Sequence, residues 1–313
     1  HQWTITKEMI SFVPGVVPAI VMAVEAFTQV GDPVLIQPPV YYPFAAAIRN
    51  TGRKVVTNPL LLKDGQYEID FEDFEEKAKG CKLFILCNPH NPGGRVWKKE
   101  ELARLAAICL KHKVLMISDE IHADLTLPPY QHTPLATLSK EVAENCVTFS
   151  SASKTFNMAG LASAYAVIPN TDIRQKFLDK TVGYMLTDGN VFAFQTTVAA
   201  YEQGEEWLSQ LLSYIQGNID FLTQYIDQHL PKVKYIVPQA SYLIFLDFRQ
   251  LGLSQKELVS LCTNQAHLAL VDGSVFGKEG IGFMRINLAS PRSVIEKAAE
   301  QLLVIGQWLV VSD

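Results

Sequence analysis

The chain has 313 residues, 48% of them hydrophobic and 19% charged, and its 27 Lys and Arg against 32 Asp and Glu leave a formal net charge of −5. That composition suits a globular body with one large core or two domains, and the slight acidity supplies no basic field to release counterions from nucleic acid. The longest apolar runs, Val16 to Val24 and Leu302 to Val311, are broken by Pro18 and by Gly306 and Gln307, and both fall short of the roughly 20 residues a bilayer crossing needs.

No signal-peptide pattern follows His1. The five cysteines (Cys81, Cys87, Cys109, Cys146, Cys262) are an odd number without C-x-x-C spacing. They sit in apolar segments, which predicts buried free thiols in a reducing cytoplasm.

Taken in chain order, "PGVVPAIVMAVEAF" reads as a glycine loop entering a helix with Pro18 in its first turn. The runs "PVLI" (33–36), "KLFILC" (82–87), "VLMIS" (114–118), "CVTFS" (146–150) and "AYAVI" (164–168) predict short strands buried on both faces. Between two of them, "KKEELARLAAICLKH" repeats Leu102, Leu105, Ala106 and Cys109 at helical spacing. This alternation predicts the α/β class, a mostly parallel sheet covered by helices. From Glu205 a long helix carries Trp207, Leu208, Leu211, Leu212, Ile215, Ile219 and Leu222 at helical intervals and ends before Pro231. It is the expected arm between a large domain, 1–204, and a smaller C-terminal one, 205–313. Strands over "VKYIV", "YLIFLDF" and "FMRINL" follow, with a helix near Ser254 to Gln265 and a last helix capped by Ser290 with Pro291 in its first turn.

In open α/β sheets ligands collect at the carboxyl ends of strands, where loops and helix N-termini converge. Three predicted strands deliver reactive groups there: "NPHNPGG" (88–94) after Cys87, Asp119 to His122 after Ser118, and Ser151, Ser153 and Lys154 after Ser150. Each alone reads equally well as a cap, a turn or a surface charge. Their shared placement suggests one pocket.

"NPHNPGG", "SDEIHADL" and "SSASKTFNMAG", in that order, resemble the fold-type I aminotransferase-like enzymes that use pyridoxal 5′-phosphate. With "FVPGVVPAI" before them and "FMRINLASPR" after, the chain is most similar to the bacterial cystathionine β-lyase, or C–S lyase, branch. The resemblance implies a PLP-dependent transferase-like fold and a homodimer. It implies that Lys154 bonds covalently to the cofactor aldehyde, which requires an amine able to lose its proton in a partly desolvated site. Asp119 would face the pyridine nitrogen, Asn91 would donate to the ring's phenolic oxygen, and Tyr41 would lie over the ring face, with Tyr42 beside it structural. His122 would stand near the cofactor oxygen, where many aminotransferases have a tyrosine. Ser151, Ser153 and the N–H groups near Gly15, Val16 and Val17 would hold the phosphate. Many relatives place an arginine where this chain has Ala162, which removes a phosphate clamp. Arg285 would grip the substrate α-carboxylate through two hydrogen bonds.

The implied reaction is α,β-elimination from L-cystathionine or a related S-substituted L-cysteine, with transamination and a non-catalytic regulator on the same fold as the alternatives. Members of this branch carry further residues before the position of His1, among them a tyrosine that reaches the neighbouring subunit's site. Other chemistries find no support: "GKEGIGF" does not follow a strand into a helix, Ser153 lacks a G-x-S-x-G elbow, and Glu120, His122 and Asp124 lack the further ligands a metal needs.

Overall fold

The computed structural model describes residues 1–311, so residues 312 and 313, the end of the expected 205–313 unit, lie outside it. In chain order the elements are β1 (Ile10–Val13), α1 (Val16–Phe27), β2 (Pro33–Ile36), α2 (Pro43–Asn50), β3 (Lys54–Thr57) and the hairpin β4 (Leu61–Lys63) with β5 (Gln66–Glu68). There follow α3 (Phe71–Ala78), β6 (Leu83–Cys87), α4 (Lys99–Lys111), β7 (Leu115–Asp119), α5 (Lys140–Glu144), β8 (Cys146–Ser150), the single turn α6 (Ala152–Thr155) and β9 (Ala164–Val167). The remainder is α7 (Thr171–Gly183), α8 (Val191–Gln203), α9 (Glu205–His229), β10 (Lys234–Ile236), β11 (Leu243–Asp247), α10 (Gln255–Ser260), β12 (Val271–Asp272), β13 (Phe283–Asn287) and α11 (Arg292–Val311).

Seven strands form the large sheet in the order β1-β9-β8-β7-β6-β2-β3. From β3 to β8 the neighbours run parallel, while β9 and β1 are antiparallel. Every residue of β6 is buried because both faces of the sheet are covered: Phe84 and Leu86 enter the core beneath α3 and α4, and Leu83, Ile85 and Cys87 enter the one beneath α1, α2 and α7. Two-sided burial selects continuous apolar runs over alternation. That is why the five central strands are visible as sequence, while the amphipathic β1 and β3, with their exposed positions, are not.

The second sheet, β10-β11-β13-β12, is antiparallel. Its core takes Ile215, Ile219, Leu222 and Ile226 from α9 against Ile295, Leu302 and Ile305 from α11, the apolar stripe expected of a helix packed on one face. The last helix departs from expectation by a residue. It starts at Arg292, and the Pro291 carbonyl accepts from Val294 N and Ile295 N, so Pro291 rather than Ser290 stands at the cap. Ser254 does cap α10 through a capping box with Glu257, but beyond Ser260 the expected helix widens into a π-turn over Leu261–Gln265. All five cysteines are free and buried. Among the described residues no helix is long and apolar enough to cross a membrane.

The root of β11 is clamped to the large sheet from two sides. Gln239 N and Ala240 N donate to Gly94 O at 2.8 and 3.0 Å, while Leu127 N donates to Gln239 O and Ser241 N to Leu125 O. Arg95 Nη1 and Val96 N donate to Gln239 Oε1 at 3.0 and 2.9 Å. Gly94 has φ +65°, and a Cβ there would lie 2.6 Å from Pro238 Cβ and 2.8 Å from Pro238 Cα. Gly94→Ala should therefore cost about 2 kcal/mol through steric strain and left-handed backbone. Thermal unfolding followed by circular dichroism should show it as a drop of several degrees.

Candidate active site

The register of the large sheet explains how the three motifs meet. Cys87 pairs with Asp119 across β6 and β7, and Asp119 with Phe149 across β7 and β8. The three strands thus end at one level, and a cavity of about 380 Å³ opens there, closed from above by Tyr242, Leu243, Arg285 and Asn287 around the second sheet. That volume lies in the range of small-molecule sites.

All eleven residues expected in the site line this cavity. Asp119 is 3% exposed, and its carboxylate Oδ1 accepts from Ile121 N at 3.2 Å. Burial pushes its carboxyl up to about 7; the Glu120 charge adds to this, while the Ile121 N–H and the Lys154 charge oppose it. The next residue fixes the strand end: Glu120 Oε1 accepts from Ser118 Oγ and Leu135 N, and its Oε2 meets His132 Nε2 at 2.8 Å. Lys154 rises from α6, the turn that follows β8. Arg285, in the middle of β13, reaches down to donate from Nη1 to Asn91 Oδ1 at 2.9 Å, and its guanidinium lies over the Phe276 ring at 4.9 Å. Because the Asn91 oxygen is taken by Arg285, its amide Nδ2 remains to donate into the cavity.

His122 is 4% exposed, its Nδ1 is buried without a partner, and its ring meets Tyr242 edge-on at 6.2 Å. Burial, with the Lys154 and Arg285 charges, drives its pKa down to about 3, so the imidazole is neutral. Tyr41 is partly buried, with its hydroxyl pKa raised by burial and by the nearby Tyr42 and Asp119.

Gly15 stands at the N-cap of α1 without a capping side chain, and the first intrahelical bond runs from Ala19 N to Gly15 O. The N–H groups at Val16 and Val17 are the unpaired donors of a helix start that opens on the cavity. Ser153 N donates to Ser151 Oγ at 2.9 Å, which caps α6. Ser151 also lines the cavity, and its hydroxyl donates to Ser163 O at 2.6 Å. Ala162 lines the cavity with φ +49° and carries no charge to it. Tyr42, expected to be structural, also lines the cavity at 49% exposure. Tyr242 and Asn287 had no sequence signal, since only the folding of β11 and β13 over the strand ends brings them here.

Asp119, Lys154 and Arg285 share this cavity, and among the described residues none of them forms an ion pair. Asp119 is buried and Lys154 and Arg285 are half-buried, and charges drawn out of water without a partner are disfavoured, so the arrangement suits a ligand that pairs them. A pyridoxal phosphate fits on this chemistry: a cationic ring N–H for the Asp119 carboxylate, an aldehyde for Lys154, a ring oxygen for Asn91 Nδ2, and a phosphate for the α1 N-terminus and the Ser151 and Ser153 hydroxyls.

Comparison with known proteins accords with this geometry. The chain is 44% identical over 304 residues to cystathionine beta-lyase PatB of Bacillus subtilis, covering 96% of this chain and 79% of that one. It is 31% identical over 306 residues to protein MalY of Escherichia coli, covering 97% and 78%. The structure of cystalysin from Treponema denticola, which contains a pyridoxal 5′-phosphate cofactor, superposes with a TM-score of 0.97 at 38% identity, covering 98% of this chain and 79% of that one. The family model for aminotransferase class I and II matches residues 1–302. Because that match runs through every strand of both sheets and not through the motifs alone, the chain belongs to the aminotransferase class I and II family.

Proposed function

We propose that this chain is a pyridoxal-phosphate-dependent carbon–sulfur lyase that eliminates the sulfur substituent from L-cystathionine and related S-substituted L-cysteines, yielding pyruvate, ammonia and a thiol. The observation that carries the reading is the trio of unpaired charges, Asp119, Lys154 and Arg285, around one cavity. The names of PatB and cystalysin point to sulfur chemistry within the family.

When bound, the cofactor supplies an electron sink for charge that develops at the substrate Cα. Asp119 keeps a proton on the ring nitrogen, since its own buried carboxylate is stabilised only beside a cation. Asn91 Nδ2 donates to the ring oxygen while Arg285 holds the amide in that orientation. Tyr41 covers a ring face, and His122, neutral, adds a polar edge without adding charge. The Val16 and Val17 N–H groups, with the Ser151 and Ser153 hydroxyls, would hold the phosphate. Arg285 binds the substrate carboxylate, which places the Cα proton within reach of Lys154 Nζ. Lys154 then acts as general base on that proton, and the Cβ–S bond breaks with its electron pair leaving on sulfur. The protonated Lys154 can return the proton to the departing thiolate. The remaining three-carbon fragment hydrolyses to pyruvate and ammonia.

The test is pyruvate release from L-cystathionine by cofactor-loaded protein with no keto-acid acceptor. A strict need for 2-oxoglutarate would instead identify an aminotransferase. Arg285→Lys keeps the charge but loses the planar two-pronged donor. It should raise KM for the amino acid about tenfold or more, with a smaller change in kcat.

Residues 1–204 are read as the cofactor-binding domain and 205 onward as the smaller domain, with α9 as the arm between them. The protein is read as a cytoplasmic homodimer. Val182, Met185, Val191 and Phe192, from the end of α7 to the start of α8, are apolar side chains at 61%, 88%, 65% and 71% exposure, of the kind a second copy covers. A dimeric mass by light scattering, lost on Phe192→Asp, is the expected result.

A further inference from the structure

Directly beside the cofactor cavity lies a second chamber of about 390 Å³, and the two share Ser153, Lys154, Ala159, Tyr242 and Asn287 as their common wall. Among the described residues Lys154 is the only acidic or basic one that lines the second chamber. The far wall comes from α9, through Trp207, Leu211, Tyr214 and Ile215. It is stiff: Trp207 stacks on Phe156 with ring centroids 5.6 Å apart and planes at 30°, and the Tyr214 hydroxyl accepts from Arg292 N at 2.7 Å. The nearby arginine is turned away, with Arg292 Nε donating to Asn218 Oδ1 and its guanidinium over the Phe221 ring. In the cofactor cavity itself the charged side chains are Asp119, Lys154 and Arg285, and the reading above commits all three to the cofactor and the α-carboxylate.

We infer that this chamber receives the sulfur substituent of the substrate, and that it selects S-linked L-cysteines whose substituent is uncharged and apolar, aromatic ones included, over L-cystathionine. The inference rests on the lyase reading and refines its substrate class. The chamber adjoins the amine that acts on Cα, so a substituent carried on sulfur, which begins three bonds from that carbon, extends into it. An aryl or alkyl tail there gains contact with Trp207, Tyr214 and Leu211. The distal ammonium and carboxylate of cystathionine would find neither a carboxylate nor a free guanidinium on those walls, and charges that lose water without gaining a partner are disfavoured. The exposed side of the chamber, where Trp207 is 46% accessible, lets a longer apolar tail continue outward.

The experiment measures pyruvate release by cofactor-loaded protein from S-benzyl-L-cysteine and from L-cystathionine. The expected kcat/KM favours the benzyl substrate by about tenfold or more. Leu211→Glu, which brings a charge to the far wall, should lower the benzyl value about tenfold and leave the cystathionine value within about threefold. Trp207→Ala, on a more exposed side chain, should likewise lower the benzyl value several-fold and leave the cystathionine value within about threefold, and it serves if Leu211→Glu does not fold. A readout independent of turnover is the Kd of N-acetyl-S-benzyl-L-cysteine, which lacks the reacting amine, measured by calorimetry and expected to weaken in either variant. Preference for cystathionine, equal losses on both substrates in the variants, or an unchanged Kd would overturn the assignment and leave the lyase reading standing. Absence of pyruvate from both substrates would overturn that reading itself.

Discussion

Lys154→Ala should abolish the visible absorbance of lysine-bound cofactor and lower pyruvate release by roughly 10⁴-fold or more, because one substitution removes both the covalent attachment and the general base. Folding should be nearly unaffected. Lys154 makes no ion pair among the described residues and is half-buried at the edge of a cavity, so its loss should fall within the ±0.5 kcal/mol or so typical of sites that hold no network together. Unchanged circular dichroism and an unfolding temperature within a few degrees of the parent are therefore the expected controls. Added methylamine should return part of the lost rate, because a free amine can occupy the space the side chain leaves and accept the Cα proton. A variant that retained full turnover would place the base elsewhere and remove the basis of the lyase reading.

Asp119→Asn separates the two roles of a buried carboxylate. In protein stripped of cofactor, Asp119 holds its proton more tightly than in the unfolded chain, at about 7 against a usual 3.8, chiefly through burial. A group raised in the folded state contributes stability that is complete below its unfolded pKa and is lost as pH rises through the folded value. Wild-type apoprotein should accordingly lose stability between about pH 5 and about pH 8, by at most a few kcal/mol. The asparagine variant keeps an acceptor for Ile121 N and cannot ionise, so it should lack that fall and be the more stable of the two at the higher pH. Urea unfolding at the two pH values checks this. With cofactor bound the order reverses. Asparagine cannot pair a cationic ring nitrogen, and loss of a buried charge partner, worth about 3–5 kcal/mol, lowers turnover roughly a hundredfold or more. An equal pH dependence in both apoproteins would show that Asp119 does not carry the effect.

Both residues are visible before the chain folds. Asp119 ends β7 and Lys154 lies just beyond β8, strands buried on both faces and therefore written as largely apolar runs. A strand of that kind announces its own end, and the residue after it inherits a place at the mouth of the sheet. The same reasoning reached Asn91 beyond β6 and the N-terminus of α1. Sequence alone gives no sign that the Ser151 hydroxyl meets Ser163 O, twelve residues away. Nor could it see that Tyr42 turns toward the cavity, since adjacent tyrosines in a loop carry no periodic signal to tell them apart. The antiparallel direction of β9 was equally hidden, because burial on both faces produces the same apolar run whichever way the strand points.

By itself the order of residues determined the α/β alternation, the places where central strands stop, and the identity of the groups stationed there, because burial and helix periodicity are local demands that each segment must meet alone. Tertiary structure decided which of those groups face one another. The pairing register aligned three strand ends, and the clamp between Gly94 and Gln239 fixes the root of the second sheet. That sheet brings Arg285 down onto Asn91 and walls a chamber that, among the described residues, Lys154 alone charges. Contacts between residues nearly 200 positions apart depend on how whole sheets pack, and no short stretch of chain contains that information.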